Sequence, residues 1–66
     1  MNFSDTIKER RAKLKLSQAD LAEMAQVSLA TVKDIERGKG NPSLQTIEKL
    51  LDILGLEIVY RIRQTI

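Results

Sequence analysis

A chain of 66 residues makes one domain, near the lower limit of what a single apolar core can hold together. It has no cysteine and no histidine, which excludes disulfides and ordinary zinc sites and leaves a second subunit as the route to extra stability. The formal charge of +2 is too small to identify a partner, no run approaches the roughly 20 apolar residues of a bilayer span, and the N-terminus lacks a signal-peptide pattern; a soluble, cytoplasmic protein is expected.

The first predicted element is a helix over about 4–14, capped by Ser4 or Asp5, with Phe3, Ile7, Arg11 and Leu14 at helical spacing. Arg11 is the charged member of that apolar stripe. Lys8, Arg10, Arg11, Lys13 and Lys15 stand against the lone acid Glu9 in this stretch. Such a local positive field suits a phosphate-contacting face, or else is a solvated helix face.

Ser17 caps a second helix over about 18–25, Gln26 and Val27 make a turn, and Ser28 caps a third helix over about 29–37. Leu21, Ala22, Ala25, Val27, Val32 and Ile35 are spaced to pack these two helices across each other at a steep angle. That geometry projects the later helix outward, where it can enter a DNA major groove. Gly38 is placed as a left-handed helix terminator, Pro42 cannot continue a helix, and Ser43 caps a fourth over about 44–54. Leu44, Ile47, Leu50, Leu51 and Leu54 form its buried stripe, and Gly55 ends it.

The period then changes. Leu56, Ile58, Tyr60 and Ile62 alternate with Glu57, Val59, Arg61 and Arg63, the pattern of a half-buried strand over about 56–63, in which Tyr60 packs rather than stacks on bases. No other segment reads as a strand, so its pairing partner is expected to be the same segment of a symmetry mate. The predicted architecture is mainly α: four helices and a C-terminal β-strand paired across a homodimer, one domain over 1–66. The initial methionine and the terminal strand are those expected of a whole chain.

The residues Leu16-Ser17-Gln18-Ala19-Asp20-Leu21-Ala22, then Val27-Ser28, Thr31-Val32 and Ile35-Glu36-Arg37-Gly38, resemble the Xre/Cro-like helix-turn-helix repressor family over about 7–54. The four helices and terminal strand are most similar to the small antitoxins of Hip-type toxin–antitoxin pairs. The resemblance implies that Leu29, Ala30, Lys33 and Asp34 face base edges. It places Gln18, Ser28, Thr31, Arg37, Lys39 and Asn41 on the DNA backbone, with Arg10 added from the basic helix. Lys33 can donate to guanine, Leu29 and Ala30 can touch a thymine methyl, and Asp34 can accept from cytosine. Gln18 and Ser28 are also simple helix-cap residues, and Lys33 an ordinary surface lysine, on the plainer reading. For Arg11 and Glu36 the resemblance implies a partly buried ion pair between the first and third helices; the alternative for Arg11 is a phosphate contact.

Two departures from the family pattern stand out. Gln26 occupies a turn position where the family often has a left-handed glycine, at a cost of order 1 kcal/mol. The base-facing set has two apolar residues in place of amides, so specificity is expected to draw partly on DNA shape.

No carboxylates pair at a spacing that suggests a cleft, so no enzyme activity, cofactor or metal is expected. The expected function is a sequence-specific repressor binding double-stranded DNA as a homodimer on a palindromic operator, autoregulating as an antitoxin with a toxin protein as partner. The alternatives are a stand-alone phage-type repressor, and a protein-interaction module that keeps the fold without reading DNA.

Overall fold

The computed structural model describes residues 2–64. Four helices occur in order: α1 (Phe3–Lys13), α2 (Gln18–Ala25), α3 (Leu29–Glu36) and α4 (Leu44–Leu54). Each starts the same way. Asn2, Ser17, Ser28 and Ser43 are extended residues whose side-chain oxygens accept from the backbone N–H of Asp5, Asp20, Thr31 and Thr46, supplying one of the orphan donors of each first turn. At α1 the cap is therefore Asn2, not Ser4 or Asp5. An amide three residues ahead of Asp5 meets the same requirement that Ser17 meets ahead of Asp20, and the Ser4 hydroxyl instead donates to Ile35 O at 2.8 Å.

The helices also end alike. Lys15, Gln26, Gly38 and Gly55 take left-handed φ values of 58°, 57°, 74° and 69°. The next residue's N–H then reaches back five positions: Leu16 to Arg11 O, Val27 to Ala22 O, Lys39 to Asp34 O and Leu56 to Leu51 O, at 2.8–3.1 Å. This is the Schellman closure, which satisfies a stranded carbonyl and turns the chain sharply. Because Arg37 caps α3 rather than belonging to it, α3 stops at Glu36, one residue short of the predicted end.

These sharp turns fold short helices onto one another. α2 packs against both α3 and α4, and α1 against α3 and α4. The core consists of Ile7, Leu21, Ala22, Ala25, Val32, Ile35, Leu50, Leu51 and Leu54, with Val27, Ile47, Ile53 and Leu56 packed at its edge. α1 contributes Ile7 alone to the buried set. Phe3, Leu14 and Leu44, placed on buried stripes by spacing, are exposed, each at a helix terminus.

The predicted strand over 56–63 is absent: the described residues contain no strand. A ladder needs the backbone of a second strand, and one copy of the chain has none to offer. Leu56 still packs on the core, but Val59, Tyr60 and Ile62 are 73%, 78% and 96% exposed. Among the described residues no helix is long and apolar enough to cross a membrane.

The helix ends give a direct test of backbone strain. Gln26→Gly relieves a side chain held at φ 57° and is expected to raise unfolding free energy by up to about 1 kcal/mol, whereas Gly55→Ala, at φ 69°, should lower it by about 1 kcal/mol or more, both read from urea melts.

Candidate nucleic-acid interface

Two short helices and their turn build the candidate site. At the start of α2 the Ser17 hydroxyl accepts from the Asp20 N–H at 2.9 Å, and the Asp20 carboxylate accepts from the Ser17 N–H at 2.9 Å, a reciprocal capping box. These hydrogen bonds from Ser17, the backbone one foremost, hold the Asp20 carboxyl below the usual carboxylate range. Gln26, left-handed, carries the chain through the turn. Ser28 then opens α3, its oxygen accepting from Thr31 N–H at 3.1 Å while the two hydroxyls share a 2.7 Å hydrogen bond.

α3 has two unlike sides. Val32, Ile35 and Glu36 are buried, while Leu29, Ala30 and Lys33 are exposed and Asp34 is half-exposed. Positions 29, 33 and 37 recur every fourth residue, with 30 and 34 beside them, so the exposed set forms one continuous face about 12 Å long. Asp34 is not free on that face, for Arg37 Nη2 donates to its carboxylate. Arg37 is thus spent in part on neutralising Asp34. Lys39 and Asn41 are exposed in the following loop, which α3 anchors through the 2.8 Å hydrogen bond from Lys39 N–H to Asp34 O.

The buried side of α3 ends on a carboxylate. Glu36 is 3% exposed and accepts from Arg11 Nε at 2.8 Å, from Arg11 Nη2 at 3.0 Å and from Gln18 Nε2 at 3.1 Å. Arg11 Nη1 also donates to Leu16 O at 2.8 Å, in the link between α1 and α2. Glu36 holds the Arg11 guanidinium still further into its charged range, and no buried side-chain polar atom among the described residues lacks a partner. Arg11 therefore sits in the ion pair rather than on the outer face. Gln18 is half-buried at the N-terminus of α2, with one of its amide N–H groups committed to Glu36.

Arg10 lies elsewhere. Its Nε donates to Leu54 O at 2.7 Å and so caps the C-terminus of α4. A free carbonyl at a helix C-terminus attracts a guanidinium by hydrogen bonding and by the helix dipole together. Lys8 and Lys13 lie along α1 beside Asp5 and Glu9, at 3.9 and 3.6 Å, in exposed pairs that behave as a solvated face. The contacts of Ser4 with Ile35 O, Arg10 with Leu54 O and Gln18 with Glu36 leave no periodic trace, since each joins residues 18 to 44 positions apart.

Residues 7–61 match the helix-turn-helix family profile. The chain belongs to this family, in its Xre/Cro-like branch. The helix-turn-helix chain is 41% identical over 58 residues to the immunity repressor protein of Bacillus phage phi105, covering 88% of this chain and 40% of the repressor. It is 34% identical over 58 residues to the HTH-type transcriptional regulator DdrOP3 of Deinococcus deserti, covering 88% of this chain and 45% of the regulator. An uncharacterized HTH-type transcriptional regulator of Archaeoglobus fulgidus is 38% identical over 52 residues, covering 79% of this chain and 73% of that protein. The chain thus spans less than half the length of the phage repressor and of DdrOP3.

Two measurements probe the scaffold. Glu36→Ala strands Arg11 and Gln18 and should destabilise by roughly 3–5 kcal/mol in urea melts, while Arg11→Met with Glu36→Leu should recover most of that loss. Acid titration probes the capping box. A lowered Asp20 pKa stabilises the fold above the unfolded value and loses that contribution as pH falls through the folded one. Asp20→Asn should therefore flatten the acid limb of a melting-temperature profile below about pH 4, near the unfolded aspartate value.

Proposed function

We propose that this helix-turn-helix chain is a sequence-specific DNA-binding transcriptional repressor whose α3 enters the major groove. The observation that carries the reading is the division of α3 into a buried side fixed by Glu36 and an exposed side presenting Leu29, Ala30 and Lys33. A recognition helix must be held rigidly from behind while its outer face stays unobstructed, and this one is. Lys33 supplies the strongest base contact, donating to guanine N7 and O6. Leu29 and Ala30 add contact with thymine methyl groups, and Asp34 accepts from cytosine when Arg37 releases it. The hydroxyls of Ser28 and Thr31, the Gln18 amide, Lys39 and Asn41 approach the phosphates on either side.

Direct readout of this kind is thin, and part of the specificity falls to DNA shape. The reading includes two copies, joined through residues 56–63, on a palindromic operator with half-sites about 34 Å apart. It gives the chain no catalytic step. The identity to a phage immunity repressor supports a stand-alone repressor over an autoregulating antitoxin with a toxin partner.

Selection from random-sequence DNA followed by anisotropy titration at two salt concentrations tests the reading. Lys33→Ala should cost roughly 1–3 kcal/mol on the selected site and relax its preference at one position. Lys39→Ala should weaken all sites alike and reduce the salt slope by about 1, whereas Arg10→Ala should leave that slope unchanged. Failure to enrich any sequence, with binding indifferent to Lys33, would leave the fold as a protein-interaction module.

A further inference from the structure

The Ser4 hydroxyl takes no part in the cap of α1 or in the candidate interface, yet it is partly buried and committed. It crosses from the first turn of α1 to the last turn of α3, where it donates to Ile35 O at 2.8 Å. That carbonyl has a second donor. Gly38 N–H reaches it at 3.0 Å, so both lone pairs of Ile35 O are engaged where the chain leaves α3. The turn passes directly over the hydroxyl, for a Cβ at Gly38 would stand 3.5 Å from Ser4 Oγ.

Residues 38–42 leave this point as a ridge between two notches. One notch, of about 190 Å³, lies toward α1, with Phe3, Ser4 and Ile35 beneath the loop. The other, of about 170 Å³, lies between Thr31 and Asp34 of α3 and the loop residues Lys39 and Asn41. Open space on both flanks leaves the ridge little packing. Among the described residues, the hydrogen bonds that hold 38–42 are Gly38 N–H to Ile35 O and Lys39 N–H to Asp34 O. Gly40 also rests against α3, since a Cβ there would meet Asp34 Cβ at 3.5 Å. The attitude of the loop thus depends on how firmly the last α3 carbonyls are held, and Ser4 holds one of them from another helix.

We propose that Ser4 is a positioning residue for DNA binding, acting through Ile35 O and Gly38 to set where Lys39 and Asn41 stand beside α3. On this reading α1 has two separate tasks at neighbouring residues. Arg11 on Glu36 fixes the rotation of α3, and Ser4 on Ile35 fixes the direction in which the chain leaves it. A loop that wanders must be ordered when its side chains meet a phosphate, and that ordering is subtracted from affinity. A loop set in advance avoids most of the loss. Lys39 has a long stem that tolerates some error in the backbone, whereas the short Asn41 amide goes only where the backbone puts it. The DNA part of this inference rests on the repressor reading above; the clamp itself is measurable without DNA.

Amide hydrogen exchange on the DNA-free protein tests the clamp. Ser4→Ala should speed exchange at Gly38 and Lys39 by roughly two- to tenfold, the factor expected from one hydrogen bond. The N–H groups of Val27 and Leu56 close α2 and α4 in the same way and should keep their rates. Ser4→Thr retains the hydroxyl and should restore the parent rates. Equal acceleration at all four amides, or none at Gly38 and Lys39, overturns the proposal.

Anisotropy titration on random-sequence duplex DNA at low salt tests the function. Ser4→Ala should weaken binding by roughly two- to tenfold in the parent chain, and Ser4→Thr should recover it. In a chain already carrying Lys39→Ala and Asn41→Ala the same substitution should cost nothing further, because the residues it acts through are gone. Gly55→Ala, which loosens the fold at the end of α4, should have equal effects in both backgrounds. A Ser4→Ala loss that is equal in both backgrounds, or absent from the parent, overturns the positioning role. A parent chain that binds no DNA overturns the repressor reading and the DNA role of Ser4 with it, while the exchange rates still decide the clamp.

Discussion

The buried carboxylate of Glu36 is where three helices of this small domain are tied together. It sits in the last turn of α3 and receives hydrogen bonds from Arg11 of α1 and Gln18 of α2. A carboxylate taken out of water is tolerated only when its charge and lone pairs are matched, and here a bidentate guanidinium and an amide do so. The consequence is geometric. Apolar contacts hold α3 against α2 without fixing its rotation about its own axis, because Val32 and Ile35 form a narrow stripe. A directional network at the far end fixes that rotation, and with it the set of residues that faces outward.

The same economy governs the helix ends. Helices of eight residues are too short to be stable by themselves, so their boundaries must be set by chemistry at the termini and by tertiary packing. Side-chain caps at Asn2, Ser17, Ser28 and Ser43 set the starts, and left-handed residues with five-back closures set the stops. Three of the closures place an apolar residue, Leu16, Val27 or Leu56, immediately after the left-handed position. Val27 and Leu56 pack against the core, so the turn and the packing reinforce each other. Lys39 is the exception, and it follows α3, where the loop runs over the surface beside the exposed face. A lysine there leaves the chain basic where an apolar residue would have drawn it inward.

Much of this is legible in the residues themselves. The serine caps, Gly38, Gly55 and the periodic stripes of α2, α3 and α4 are local signals, and local signals survive in a linear sequence. Lys15 and Asn2 carried the same chemistry less legibly: lysine is a poor marker of a left-handed residue, and Asn2, a favoured cap residue, competes with Ser4 and Asp5 for the role. Arg10 shows the limit. Its neighbours Lys8 and Lys13 point to a charged face, and nothing in the helix says that the α4 terminus lies within its reach. The predicted strand failed for a different reason. Its alternating pattern is a property of the segment alone, but a ladder needs a second strand, and no other described segment is one.

The outward face of α3 carries a tension between binding and reading. Lys33 brings a charge that any phosphate attracts, and Asp34 beside it brings one that any phosphate repels. Joined to Arg37, Asp34 is neutralised within the protein and costs little repulsion; parted from it, the carboxylate must find a cytosine amino group to offset the loss. On the proposed reading such a pair weakens non-specific association more than binding at a matching site, which favours discrimination at the expense of affinity. A chain of net charge +2 has little affinity to give up. On the proposed two-copy reading, linking the copies would restore it, because the second half-site would be met at the effective concentration set by the first rather than from bulk solution. On the proposed reading, low charge and a sparing base-facing set form one consistent pair: each would be a weakness in a protein that met DNA as a single copy.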